Sequence, residues 1–419
     1  MAEELYRKQA LGERQLSVAL VSRSNAQGGG ASRIAEELAE WLTVRGHQVV
    51  HYCAVPMGPL RSFQAPLFAS DVIGKVTRAT RRLTRRFGLN EFVPAEYYTT
   101  LRLALENVDV VHFHDLNSEI SPLTMRLCSR KRPVIFTAHD CSCFTGGCIY
   151  PLKCEGFLKT CGMCPQLDSM GSRCDLTSAK LKMNRRIAKR AGVHYVFPSH
   201  WLRATASHSL EFGEEALVIP NGFSSDAYEF RPKTEARREL GIAGKQRIIV
   251  VAAHFLGDPR KGVSFALAAI CSVADLAPLV IFIGHAPNDL EVRLPGIQFW
   301  LTGFVSNRAR LGLIFAAADL FLFTSLEDNL PIMVQEALAS GTPVVGFAAG
   351  GVAEMVEHGR TGLLCAPGNQ SDLNQTLREA LVRGDLDAFG EAARSTVQER
   401  YDVDVFGTRH LALYEEAMN

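Results

Sequence analysis

Apolar positions along the chain fall alternately into short runs and helical stripes. The first run, residues 16–22 (LSVALVS), leads to Gly28-Gly29-Gly30. Behind the glycines, Ile34, Leu38, Trp41 and Leu42 recur at the spacing of an amphipathic helix. Gly46-His47 closes that helix, and Val49-Val50-His51-Tyr52 reads as the next strand. Strand, glycine turn, helix and strand in this order predict a βαβ unit. Further strands are expected at 108–112, 133–137 and 193–198. A second series begins near residue 246, with strands expected at 247–252, 279–284, 297–301, 320–324 and 343–345. Helical patterns lie between them. Two such series predict an α/β protein with two parallel sheets, each covered by helices on both faces. The stretch 221–232 (NGFSSDAYEFRP) holds an Asn-Gly turn and a Pro-terminated extended piece and reads as the linker. Residues 401–419 read as a terminal helix on Phe406, Leu411, Leu413 and Tyr414.

Composition narrows the class. At about 100–200 residues per domain, 419 residues suggest two or three domains. Hydrophobic residues at 47% and charged residues at 21% exclude a disordered chain. Lys+Arg 45 against Asp+Glu 44 gives no reason to expect a nucleic-acid binder. No apolar run reaches the ~18–20 residues of a membrane span. The first residues, MAEELYRKQALGERQ, lack the apolar core of a signal peptide. A cytoplasmic protein is expected, with peripheral contact on the inner face of the membrane left open. The arginines of Arg78-Ala-Thr-Arg81-Arg82-Leu-Thr-Arg85-Arg86 would share one helical face. That face suits anionic lipid or a lipid-diphosphate acceptor, or is simply a solvated surface. A second basic run, 180–190, reads as a plain surface helix.

Open α/β sheets bind ligands at the carboxyl ends of their strands, so chemistry is sought there. In the second series a strand runs into Thr324-Ser-Leu-Glu-Asp328-Asn329-Leu330-Pro331, and a helix is expected from Pro331 with Asn329 as cap. Its positive end suits a phosphate. Asp328 stands before the helix and Glu336 eight residues on, ~12 Å along the axis if fully helical. Two acids so placed could hold hydroxyls at both ends of an extended ligand; an ordinary solvated face is the plainer alternative. Gly257-Asp-Pro-Arg260-Lys261-Gly262 follows another strand, with two positive charges for a diphosphate. Backbone N–H groups at Gly28, Gly29 and Gly30 could approach phosphate. His139, in Thr137-Ala-His139-Asp140, ends a strand of the first series. His112 and His114, in Val-His-Phe-His-Asp115, alternate on a strand and compete with it; His139 ranks ahead.

These pieces together resemble the retaining glycosyltransferases of the GT4 type (glycosyl transferase group 1), the large family that includes sucrose synthases and many lipopolysaccharide and capsule transferases. The resemblance runs through Gly28–Arg33, Arg45-Gly46-His47, Ile219-Pro-Asn221-Gly222, Arg260-Lys261-Gly262, Glu327–Pro343 and Gly350–Leu364. Phe144-Thr-Gly-Gly-Cys148-Ile-Tyr150 and Cys161-Gly-Met-Cys164-Pro-Gln-Leu167 resemble its exopolysaccharide and colanic-acid branch. The resemblance implies the GT-B fold, two Rossmann-like domains with parallel sheets facing across a cleft. It implies an acceptor-binding domain at 1–220 with a Cys-rich insertion at about 141–174. A nucleotide-sugar domain follows at 221–400, and a helix at 401–419 crosses back. It further implies sugar transfer from a UDP- or GDP-sugar to a saccharide or lipid-linked acceptor in polysaccharide or lipopolysaccharide biosynthesis. A GT-B epimerase or hydrolase, or a non-catalytic nucleotide-sugar binder, is the alternative.

Residue by residue, the resemblance gives Glu336 the nucleotide ribose and Lys261 the phosphate. Asp328 falls where most members carry Glu against the donor sugar. Backbone N–H groups of Asn329 and Leu330 would meet sugar or phosphate. The family's separate upstream arginine has no clear counterpart: His254 or Phe255 falls near its place, and Arg260 is the substitute. His139 matches the histidine beside the reacting sugar. No DxD-like cluster stands at a strand end, so no catalytic metal is expected.

Cysteine usage adds a separate expectation. Of 11 cysteines, eight (Cys128, Cys141, Cys143, Cys148, Cys154, Cys161, Cys164, Cys174) lie within one stretch of under fifty residues. Cys148, Cys154, Cys161 and Cys164 have the spacing C-x5-C-x6-C-x2-C, which suits a closed structural zinc site. An iron–sulfur cluster, reduced thiols or a redox disulfide are the alternatives, and Cys141 and Cys143 are substitute ligands.

Overall fold

The computed structural model describes residues 14–68, 70–88, 107–114, 122–168, 175–228, 230–286, 290 and 292–419. Asp115, Cys174 and most of the amino-terminal segment lie outside the described residues. The chain divides into two compact units, one of residues up to Gly222 together with Val403–Asn419, the other of Phe223–Asp402.

The first unit holds seven parallel strands: β1 (Ser17–Ser22), β2 (Gln48–Cys53), β3 (Gln64–Pro66), β4 (Val110–Phe113), β5 (Val134–Thr137), β6 (Val193–Phe197) and β7 (Leu217–Val218). Their order is β3-β2-β1-β4-β5-β6-β7. The helices are α1 (Gly30–Val44), α2 (Asp71–Thr84), α3 (Pro122–Cys128), α4 (Pro165–Asp168), α5 (Thr177–Ala188) and α6 (His200–Ser207). The second unit holds six parallel strands: β8 (Ile248–Phe255), β9 (Leu279–His285), β10 (Gln298–Gly303), β11 (Leu320–Phe323), β12 (Val344–Phe347) and β13 (Gly362–Cys365), in the order β10-β9-β8-β11-β12-β13. Its helices are α7 (Lys233–Glu239), α8 (Val263–Cys271), α9 (Arg308–Ala317), α10 (Ile332–Ala339), α11 (Val352–Met355), α12 (Gln370–Val382) and α13 (Leu386–Arg400). The last helix, α14 (Val403–Met418), packs with the first unit. There the Trp41 indole on α1 donates to Asp404 at 2.7 Å, and Gly407 lets the helix close on the Trp41 ring.

The central strands are buried on two faces, so they are continuous apolar runs such as Ile248–Val251 and Leu320–Phe323. Those runs are the ones anticipated, with ends shifted by one to three residues. The short strands β3, β7 and β13 were not anticipated, because two to four residues give no periodicity. Two surface expectations change. Helix α5 is not a plain surface helix: Lys180 is 2% exposed and Asn184 is buried. The arginine-rich helix stops at Thr84, and Arg86 lies in the 3-10 turn Arg85–Phe87. Helix α2 exposes Val72, Val76 and Leu83 beside Arg82. Among the described residues no helix is long and apolar enough to cross a membrane.

Asp319, 3% exposed at its side chain, anchors the amino-terminal edge of the second sheet. It accepts from Arg237 at 2.6 Å, Arg247 at 3.1 Å, Lys233 at 3.2 Å and the backbone N–H of Ile248 at 2.7 Å. Lys233, followed by the Ile248 N–H and Arg237, holds its carboxyl below the usual range against the effect of burial. Removing it leaves cations without their buried partner, so Asp319→Ala is expected to destabilise the second unit by about 3–5 kcal/mol in chemical denaturation. A loss under about 1 kcal/mol would contradict this anchoring role.

The first unit buries imidazoles instead. In the parallel register Leu20 of β1 sits between His51 of β2 and His112 of β4, and both histidines are fully buried. Ser22 Oγ donates to Ser24 O at 2.6 Å and lies 2.8 Å from His51 Nε2. Its proton is thereby committed, so His51 carries its own on Nε2 and its Nδ1 accepts from Gln64 Nε2 at 3.2 Å. Burial lowers His51 and His410 to about 4. These groups stay neutral when folded and protonate near 6.5 when unfolded, so stability is full above pH 6.5 and falls as pH drops toward 4. His51 alone contributes on the order of 3 kcal/mol. Denaturation profiles between pH 7 and 4 should therefore fall steeply, and His51→Leu should flatten part of that slope.

Candidate functional site

Two loops at the carboxyl ends of β8 and β11 build the charged site of the second unit. After β8 the chain turns through Asp258, whose carboxylate accepts from Arg260 N at 2.9 Å and caps the 3-10 turn Pro259–Lys261. Gly262 then takes a left-handed φ of 62° before α8. A Cβ there would stand 2.1 Å from Thr324 O, so only glycine permits this approach. The glycine thus serves a contact with the chain's own backbone. Leu326 N donates to Arg260 O at 2.8 Å and Thr324 Oγ1 to Lys261 O at 3.1 Å, lacing the two loops together.

The lacing brings Lys261, Arg260 and Asp328 into one cluster. Lys261 Nζ lies 2.6 Å and Arg260 NH1 3.2 Å from the same Asp328 oxygen, Oδ2. Arg260 NH1 also donates to Glu327 O at 2.9 Å. Asp328 is 7% exposed, so the pair is worth more than a surface ion pair. Asn329 and Leu330, both buried, continue the loop. Helix α10 starts at Ile332 with Pro331 in the cap position, φ −68° and ψ 123°, and without a side-chain cap. Asn329 is therefore not the cap, because proline holds the residue before it out of the helical region. Residues 328–331 precede the helix and are not helical, so the ~12 Å helical spacing to Glu336 does not apply. Glu336 is buried on α10 and accepts from the Tyr228 hydroxyl at 2.5 Å, a partner no local pattern signals.

In the first unit Gly29 and Gly30 are exposed at the start of α1, where Gly29 has φ 120°. Glu36 Oε2 accepts from Ala26 N at 2.7 Å and ties this turn to the helix. His139 is half-buried just after β5. Its ring stacks on His114 with centroids 5.5 Å apart, and Nε2 lies 3.2 Å from His114 Nδ1. Burial, with His410 adding to it, lowers His139 to about 3, so it is neutral at physiological pH. Asp140 caps the 3-10 turn Cys141–Cys143 by accepting from Ser142 N at 2.8 Å. His112 and His114 do face one side, their centroids 4.1 Å apart, and both are fully buried. In the second unit His254, beside Phe255 at the end of β8, sets its ring edge-on to Phe304 at 5.2 Å.

The expected zinc site has no counterpart among the described residues. Cys148, Cys154, Cys161 and Cys164 are all described, and Cys148 is raised to about 11 mainly by burial, with the other three sulfurs adding to the shift. Yet among the described residues no three His, Cys, Asp or Glu converge so as to hold a metal ion. The segment carries backbone strain, with left-handed φ at Leu152, Cys161 and Met163.

Two family models match the chain: Glycosyltransferase Family 4 over residues 28–227 and Glycosyl transferases group 1 over residues 246–383. Together they take in well over half of the sequence. The chain belongs to this family of glycosyltransferases, and its pair of parallel-sheet, Rossmann-like units is the GT-B fold. N-acetyl-alpha-D-glucosaminyl L-malate synthase of Bacillus anthracis is 25% identical over 225 residues, 51% of this chain and 58% of that protein. The match thus spans little more than half of that relative. Two solved structures share the fold. Anabaena HepE in complex with UDP-glucose gives a TM-score of 0.67 at 17% identity, covering 96% of this chain and 100% of that one. WaaG, a glycosyltransferase involved in lipopolysaccharide biosynthesis, gives 0.68 at 19% identity, covering 95% and 99%.

The geometry makes Asp328 a resident counter-anion for Lys261 and Arg260. Asp328→Asn is expected to tighten binding of inorganic pyrophosphate severalfold, on the order of 1 kcal/mol, by removing the carboxylate that both cations face. Lys261→Ala should weaken it. Isothermal calorimetry reads both; weaker binding by the Asn variant would show that the carboxylate itself serves the anion site.

Proposed function

We propose that this protein moves a sugar from a nucleotide-diphosphate sugar, a UDP- or GDP-sugar, to a saccharide or lipid-linked acceptor in polysaccharide or lipopolysaccharide assembly. The observation that carries the reading is the Arg260–Lys261 pair, fixed at strand ends beside the buried Asp328-Asn329-Leu330 loop. The likeness to a fold that holds UDP-glucose in HepE supports a nucleotide-sugar donor. The motifs at Phe144–Tyr150 and Cys161–Leu167, together with the likeness to WaaG, support the polysaccharide setting.

Charge logic gives the mechanism. Cleavage of the sugar–phosphate bond leaves negative charge on the diphosphate and positive charge on the sugar carbon. Lys261 and Arg260 stabilise the leaving diphosphate, assisted by the N–H groups of Asn329 and Leu330. Glu336 takes the ribose hydroxyls, and Tyr228 orients its carboxylate. Asp328 turns to the donor sugar once the diphosphate replaces it as partner of the cations. His139 serves beside the reacting sugar as a neutral imidazole, adding no charge where positive charge develops. The two fixed cations do the work a divalent metal would do, and transfer proceeds with retention of anomeric configuration.

A panel of nucleotide sugars screened by thermal shift, followed by transfer assays in the presence of chelator, tests this. At least one UDP- or GDP-sugar should raise the melting temperature, and nucleoside diphosphate should appear only when acceptor is present. Lys261→Ala should lower kcat/KM by roughly 100-fold or more. No shift with any donor, or unchanged turnover in Lys261→Ala and Glu336→Ala, would overturn the reading. Donor cleavage without acceptor would point to the hydrolase alternative.

A further inference from the structure

Four imidazoles of the first unit form a continuous stack. His410 of α14 lies on His112 with centroids 5.4 Å apart, His112 on His114 at 4.1 Å, and His114 on His139 at 5.5 Å. The inner three are fully buried. Each hydrogen bond restricts where the ring protons sit. His410 Nδ1 donates to Phe406 O at 3.0 Å, which leaves its Nε2 a bare acceptor. His112 is bounded by the Tyr414 hydroxyl at 2.6 Å on Nδ1 and Thr137 Oγ1 at 2.8 Å on Nε2.

The decisive contact is the outermost. His114 Nδ1 and His139 Nε2 lie 3.2 Å apart, and one proton must sit between them. The other nitrogen of His114, Nε2, is buried without a hydrogen-bond partner among the described residues. Placing the His114 proton there would strand a buried donor, which folded proteins avoid more strictly than a bare acceptor. The proton therefore belongs on Nδ1, directed at His139. Both rings are neutral, because burial and the neighbouring imidazoles keep either from gaining a second proton.

We propose that His114 is a positioning residue that fixes His139 as its Nδ1–H tautomer by donating to His139 Nε2. His139 then has Nε2 committed as an acceptor and carries its proton on Nδ1, so it does not act as a base through Nε2. The stack behind it, anchored on α14, keeps His114 from turning. The catalytic meaning of this arrangement rests on the transferase reading given above; the tautomer itself does not.

Two measurements separate the parts. In ligand-free protein carrying 15N-labelled histidine, two-bond proton–nitrogen spectra should show His139 protonated on Nδ1 and His114 on Nδ1. Protonation of His139 on Nε2 would overturn the proposal whatever the enzyme does. In H114L, an apolar replacement, His139 should lose its single tautomer. With the donor that supports turnover, kcat should fall on the order of tenfold or more while donor KM stays within about twofold, short of the ~10⁴-fold loss from a mis-set imidazole in a serine-protease triad. H114N, whose amide reaches about where Nδ1 stood, should restore both the tautomer and most of kcat. Unchanged kcat in H114L with wild-type melting, or failure of H114N to restore the tautomer, would also sink it. If wild-type protein transfers no sugar at all, the function reading fails and the spectra still decide the tautomer.

Discussion

The second unit depends on what happens at the two ends of β8 and β11. At the amino ends Asp319 gathers Arg237, Arg247, Lys233 and the Ile248 N–H around one buried carboxylate. At the carboxyl ends Asp328 gathers Lys261 and Arg260. The first cluster has its partners matched and sits where no strand-end ligand is expected. The second is poised, because its anion can be replaced by a stronger one. The same two strands thus carry a stabilising cluster at one end and, on the reading proposed above, the donor site at the other.

The first unit solves the same problem with neutral groups. Its sheet buries His51, His112 and His114, and α14 adds His410. Neutral imidazoles satisfy hydrogen bonds inside a core without the desolvation penalty of ions. They also deliver defined proton positions to His139, the one member of the stack that reaches partial exposure.

Most of this architecture was legible along the chain, because buried parallel strands must be apolar runs and their connecting helices must be amphipathic. The family and fold followed from the order of Gly28–Gly30, Arg260–Gly262 and Glu327–Pro343. What escaped was long-range or very short. Tyr228 meets Glu336 across 108 positions, and His114 meets His139 across 25. Lys180 looks solvated because its neighbours in sequence are basic, yet the fold buries it. Asn329 looks like a cap, but Pro331 overrides it. The cysteine spacing suggested a metal, but no metal-holding group is found among the described residues.

Gly262 carries an implication for how such proteins diversify. Gly262 lets Thr324 O come within 2.1 Å of where a methyl would stand, and the bonds from Leu326 N and Thr324 Oγ1 then hold the two loops together. Evolution or design can lengthen or shorten the acid at position 328, or vary the rings near position 304, and so explore new specificities. Pulling one loop away from the other would need a coordinated shift of both backbones. Novelty at this end of the sheet is therefore expected to accumulate in side chains, on a chassis whose loop spacing is inherited unchanged.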